Sequence, residues 1–183
     1  MEIWFGDNPF LFINNDKDVE NLVSSLIDST VVYGKKGGYP FLKSLEKALL
    51  TALVIYLYDY TDQKHQNFYN VMRLLRAGKA DEDDSTARTV LDNIFKEISE
   101  LDHDSSAVRY YNKFCRTHNK ETQQLAIVSC IERLKSLGFP EKDDFPKENN
   151  PGETVVAECI EKIIAQKNMS GSWRECRPFQ TKY

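Results

Sequence analysis

The chain has 183 residues, 41% of them hydrophobic and 28% charged, and a formal net charge of −4. That length allows one domain with a sizeable core, and that composition is ordinary for a soluble globular protein. The acidic balance argues against wholesale phosphate binding, which usually leaves a basic domain, and eight glycines with six prolines do not suggest a β-sandwich with many turns.

Residues 1–5 are short and largely apolar and are broken by Gly6-Asp7-Asn8-Pro9, as a strand remnant or tethered arm would be. Asn15 or Asp16 can cap a helix running through Asp28, with Val19, Leu22, Val23, Leu26 and Ile27 on one face. Gly34-Lys35-Lys36-Gly37-Gly38 reads as a flexible loop leading to the dominant element, Pro40 to Asp59. There Phe41, Leu42, Leu45, Ala48, Leu49, Ala52, Leu53, Tyr56 and Leu57 recur at helical spacing, and the second half is apolar nearly all round. Such a helix must be covered on every side. Its apolar run falls short of the ~18 residues of a membrane span, and Lys43, Glu46 and Lys47 interrupt its start. The expectation is a central helix buried by its neighbours.

A third helix is predicted from about Gln66 to Ala77, with Phe68, Val71, Met72 and Leu75 inward and Gly78 as its stop. Asp81 to Ser85 forms an acidic loop that can also cap the next helix. That helix, Thr86 to Leu101, turns Val90, Leu91, Ile94, Phe95, Ile98 and Leu101 inward. Ser105 starts another, with Val108, Tyr111, Cys115 and His118 on one face. After a break near Asn119, Glu121 to Leu137 groups Ile127, Cys130, Ile131, Leu134 and Leu137. No stretch alternates strictly as a half-buried strand does. The fold class is therefore all-α: residues 1–139 make a bundle of about six helices around a buried central one, without internal repeats. Residues 140–152, rich in Pro and charge, read as a linker, and 153–183 as a C-terminal helix and tail. Val156, Cys159, Ile160, Ile163 and Ile164 give the 153–167 helix an apolar side.

Familiar chemistry is missing from the pattern. The glycines of residues 34–38 lack the spacing of a phosphate-binding P-loop, and no strand precedes them. His65, His103 and His118 are isolated, and Asp81-Glu82-Asp83-Asp84 lacks the alternating ligands and central glycine of a calcium loop. Cys115, Cys130, Cys159 and Cys176 are far apart and form no Cys-x-x-Cys. With no signal peptide, the expectation is reduced thiols in a cytoplasmic setting. No catalytic residue, cofactor or metal site is assigned, so the chain reads as a binding module. The candidate contact residues are basic. Arg109, Lys113, Arg116 and Lys120 follow at i, i+4, i+7 and i+11, one stripe at helical pitch. Arg73, Arg76 and Lys79 form a second group. The stripe is either a solvated helix back or a contact for an acidic protein surface or phosphates. The net charge weighs a protein partner above DNA.

The order of segments resembles one family. Asn8-Pro9-Phe10 is followed by KDVENLVSSLI, then YPFLKSLEKALLTALVIYL, then QNFYNVMRLLRAGKADEDD. VLDNIFKEISELDHDSSAVRYYNKF and AIVSCIERL complete the series. Together, from about Asp7 to Phe139, they are similar to the all-alpha domain of the cytoplasmic coupling ATPases of type IV secretion and conjugation, especially those of Gram-positive mobile elements. The chain departs from that family's pattern after Phe139, where text of the motor domain should return. It departs again at Lys120-Glu121-Thr122, where a Gly-Lys-Thr-like triplet is expected. The resemblance implies a domain inserted into the motor domain of a membrane-anchored hexamer, on the cytoplasmic face and without direct membrane contact. It implies Walker motifs outside this stretch. Its implied partners are the relaxase or a relaxosome accessory protein, with the transferred single-stranded DNA as a further candidate. A free-standing helical adaptor or regulator sharing the bundle is the alternative of a different class.

Overall fold

The computed structural model describes residues 8–36, 39–79, 89–117 and 119–139. The N-terminal arm, the acidic loop, His118, the linker and the 153–167 helix lie outside the described residues. The elements are α1 (Asp16–Ser29), β1 (Val31–Val32), β2 (Lys35–Lys36), α2 (Pro40–Tyr60), α3 (Phe68–Ala77), α4 (Val90–Leu101), α5 (Ser106–Cys115) and α6 (Lys120–Ser136), with short 3-10 turns at Pro9–Phe12 and Gln63–His65. Among the described residues the fold is an all-α bundle of six helices. No described helix is long and apolar enough to cross a membrane.

The helix starts follow from local chemistry. The first backbone N–H groups of a helix have no partner within it, so a side-chain oxygen just upstream satisfies one or two of them. Asn15, Asn67, Thr89, Ser105 and Asn119 each accept such a bond at the head of α1, α3, α4, α5 and α6. At α4 the arrangement is reciprocal: the Asp92 backbone N–H donates to Thr89 Oγ1, and Asp92 Oδ2 accepts from the Thr89 backbone N–H. α2 begins instead with Pro40, whose missing N–H costs nothing in the first turn.

α2 occupies the middle, as its all-round apolar surface requires. Leu49, Leu50, Leu53, Val54, Ile55, Tyr56 and Leu57 are all buried, and α1, α3, α5 and α6 pack around them. α4 closes the assembly through α5. The Tyr111 ring stacks on Phe95 with centroids 4.0 Å apart, and its hydroxyl donates to Asp92 Oδ1 at 2.8 Å. At the far end of α2, the Tyr60 hydroxyl hydrogen-bonds to both Asp102 and Ser105, in the α4–α5 junction.

Several expectations are corrected. Phe41 and Val90, expected inside, are exposed, because each sits in the first turn of its helix and points past the neighbours. The glycine-rich loop is not simply loose. Lys35 and Lys36 pair antiparallel with Val32 and Val31 across a two-residue turn. Tyr33 and Gly34 both take positive φ, at 51° and 73°, the backbone pattern of a tight hairpin loop that matches strand twist. Gly78 does end α3, but in ordinary right-handed geometry rather than the left-handed one. Glycine leaves room there: a Cβ would collide with the Leu91 side chain, which would have to shift.

Candidate partner-binding surfaces

The predicted basic stripe does not lie on one helix. α5 ends at Cys115, with Arg116 as its C-cap, and Asn119 restarts the chain so that Lys120 is the first residue of α6. The members also have local partners. Arg109 donates to Ser106 Oγ at 2.6 Å and lies 3.9 Å from Asp16 on α1. Lys113 sits 4.3 Å above the Tyr110 ring. Lys120 is 3.7 Å from Asp92, the capping carboxylate of α4. The stripe thus leans on α1 at one end and on α4 at the other. Of the second group, Arg73 and Arg76 are half-buried on α3 and Lys79 is exposed just beyond Gly78. Gln124 donates to the Gly78 carbonyl at 3.2 Å, so the end of α3 meets the first turns of α6. Lys79 thus follows the residue that Gln124 of α6 contacts, while Arg109 reaches Asp16 on α1.

Local electrostatics follow these contacts. The Tyr110 hydroxyl donates to the Glu20 carboxylate. Partial burial and that carboxylate push the phenol up to about 12. The same bond, with Lys17 beside it, lowers Glu20. Burial alone would raise Asp92, but the Thr89 backbone, the Tyr111 hydroxyl, the Thr89 hydroxyl and Lys120 outweigh it and hold the carboxyl below its ordinary value. Burial, with Asp92 nearby, raises the Cys115 thiol. Burial, with Glu46 nearby, raises Cys130 well above the usual range. Both are free thiols, and neither sits where a thiolate forms easily. Among the described residues no group of three His, Cys, Asp or Glu could hold a metal ion.

A buried polar network lies inside. Arg133 of α6 and Glu46 of α2 are 1% and 0% exposed and form an ion pair at 2.8 Å. Ser129, one turn before Arg133, donates to the other oxygen of Glu46. The second terminal nitrogen of the guanidinium donates to Thr30 Oγ1 at 2.7 Å and to the Ile27 carbonyl at 3.0 Å. Thr30 Oγ1 in turn donates to the Leu26 carbonyl at 2.9 Å. These carbonyls belong to the last turn of α1, where helix geometry supplies no donor and the helix dipole is negative. One buried cation thus caps α1, pairs with α2 and belongs to α6. Taking both charges out of water costs several kcal/mol, which good geometry offsets without a large surplus. The gain is a fixed arrangement of three helices.

That clamp holds the base of the hairpin, because Thr30 leads directly into β1. In this hairpin and the start of α2, Val31, Tyr33, Tyr39 and Phe41 are 54%, 51%, 51% and 64% exposed. Neither clamp nor hairpin end is among the residues predicted from sequence. The available signal was Arg133 beside Leu134 and three residues after Cys130, a cation inside an apolar face. No protein family, curated protein or solved structure matches the chain.

Proposed function

We propose that the chain is the substrate-recognition, all-alpha domain of a conjugative type IV secretion coupling ATPase. In that role it binds the relaxase or a relaxosome accessory protein, with transferred single-stranded DNA as a second candidate contact. One observation supports this most: segments that carry the resemblance, though distant in sequence, meet in pairs. The Asn8 side chain of Asn8-Pro9-Phe10 donates to the backbone carbonyl of Gln66, at 2.5 Å, and Phe10 packs edge-on against Phe68. Glu46, within Leu45-Glu46-Lys47-Ala48, joins Ser129 and Arg133 of the Ser129-Cys130-Ile131-Glu132-Arg133 stretch. Asp92 joins Tyr111. Such residues form a mutually dependent set, so their joint occurrence weighs more than independent short matches would.

The domain contributes binding, and nucleotide chemistry belongs to the motor. Two measurements test this. In the gene, a Walker A sequence ahead of Asp7 and an acidic Walker B beyond Phe139, in one reading frame, are expected. Finding neither would favour the free-standing adaptor. In calorimetry the chain should show no saturable heat with ATP and magnesium, and saturable binding would overturn the division of labour.

A further inference from the structure

We propose that the chain's own residues 153–167 dock on an aromatic corner of the bundle, where the 3-10 turn Pro9–Phe12, the start of α3 and the end of α6 converge. The corner is built on Phe68, which is buried. Phe10 packs edge-on against it with centroids 5.6 Å apart, and the Phe139 ring lies 5.8 Å from it. Phe139 also meets Tyr69 edge-on at 5.2 Å. Asn8 ties the turn to the same place through the Gln66 carbonyl. The residues next in sequence, Leu11 and Phe12 after Phe10 and Tyr69 after Phe68, are exposed, and Phe139 is half-buried. Apolar surface gathered where three elements meet is the kind a covering segment uses.

The end of α6 fixes where the rest of the chain departs. Gly138 takes a positive φ of 89°. Its backbone N–H donates to the Lys135 carbonyl at 2.8 Å, and that of Phe139 donates to the Leu134 carbonyl at 3.1 Å. Those two bonds around a left-handed glycine are the Schellman ending, which folds the chain back across the last turn of its helix. It also presses the residue after the glycine against apolar neighbours, and that residue is Phe139. Residues 140–152 therefore set out from within the corner.

Sequence selects the occupant. Outside the described residues, only 153–167 repeats apolar side chains at helical spacing, with Val156, Cys159, Ile160, Ile163 and Ile164 at i, i+3, i+4, i+7 and i+8. A helix of that length is marginal alone in water and draws its stability from packing its apolar side. The intervening residues hold Glu141, Asp143, Asp144 and Glu148 with Pro140, Pro146 and Pro151, a composition that suits a wetted connection. A chain of their length reaches at most about 45 Å. It holds what it tethers at an effective concentration on the order of millimolar, so even a weak contact is occupied. The inference stands apart from the coupling-protein reading, whose resemblance stops at Phe139.

The test reads the Cys159 thiol, a member of that apolar repeat, by alkylating the full chain with iodoacetamide and mapping the peptides. Cys159 should react about tenfold more slowly than in a synthetic peptide of residues 153–167. Phe12→Ser/Tyr69→Ser should restore the peptide's rate, with circular dichroism and the slow reaction of buried Cys130 showing that the bundle is still folded. Tyr33→Asn/Phe41→Ser, at the hairpin end, should leave Cys159 slow. Tyr69→Cys supplies a second measurement: under mild oxidation it should form a disulfide with Cys159 within one chain. Parental Cys159 that reacts at the peptide's rate overturns the proposal. So does protection that the hairpin variant removes and the corner variant does not, or a Tyr69→Cys chain that yields no such link. Protection that falls on dilution, with the link formed between chains, overturns it in favour of a second copy of this chain.

Discussion

Two regions hold basic side chains, a single arginine in the interior clamp and several on the outer face of α5, and they put the same charge to different use. Inside, one guanidinium reaches a carboxylate, a hydroxyl and a helix-terminal carbonyl, all shielded from water. Outside, Arg109 and Lys113 make single contacts to Ser106, Asp16 and the Tyr110 ring while remaining wetted. Pairing within a protein is worth most where water cannot compete, but removing one buried partner leaves an uncompensated charge. The interior cation therefore organises the fold, and the exterior ones are nearly neutral to it.

That contrast breaks or stands on stability measurements. Arg133→Ala leaves Glu46 buried without its cation and uncaps α1, so urea denaturation should show a loss of roughly 3–5 kcal/mol. The double change Arg133→Met/Glu46→Leu sharpens the point: it should cost less than Arg133→Ala alone, because no orphan charge remains. If the double variant is the worse of the two, electrostatic pairing contributes more than the contrast allows. Leu53→Ala, an apolar deletion in the middle of α2, should cost roughly 2–5 kcal/mol. It sets the scale of plain packing against which the clamp is judged.

An intermediate case lies at Asp92, which is partly buried and serves as cap, acceptor and ion-pair partner. Thr89→Ala should cost about 0.5–2 kcal/mol. The Asp92 carboxyl is lowered in the folded state, so its contribution is fully present above the ordinary aspartate value. It fades as the pH falls from there through the lowered folded value. Asp92→Asn should flatten that acid limb of a stability-against-pH curve and leave the neutral-to-basic limb unchanged. An unaltered acid limb would remove Asp92 from the account. The smallest effect is expected outside: Arg109→Glu/Lys113→Glu/Arg116→Glu should change the unfolding free energy by less than about 1 kcal/mol. A larger loss would erase the difference between the two regions.

The bundle was legible because burial writes a period into the sequence. Leu49 to Leu57, Leu91 to Ile98 and Ile127 to Leu134 declare their faces through apolar spacing alone. Caps at Asn15 and Gly78 were legible through residue type. What escaped has specific causes. Glu46 and Arg133 carry charge, and a period-based reading sends charge to the surface unless a partner is known; the partner is 87 positions away. Phe114 is buried in the last turn of α5 although the predicted face omitted it. Arg116 and Lys120 kept helical spacing across a break set by the Asn119 cap, so a stripe continuous in sequence is divided in space. The hairpin was hidden because its strands are two residues long, too short for alternation to register.

The position of α2 also has a consequence for synthesis. Its apolar surface is covered by α1 before it and by α3, α5 and α6 after it. When α2 leaves the ribosome, only one of those four covers exists. The roughly 75 residues that carry the chain from the end of α2 through the buried face of α6 take on the order of 4–15 s at typical elongation rates. During that interval the most apolar helix of the protein is the least protected, and its burial waits on the arrival of Arg133.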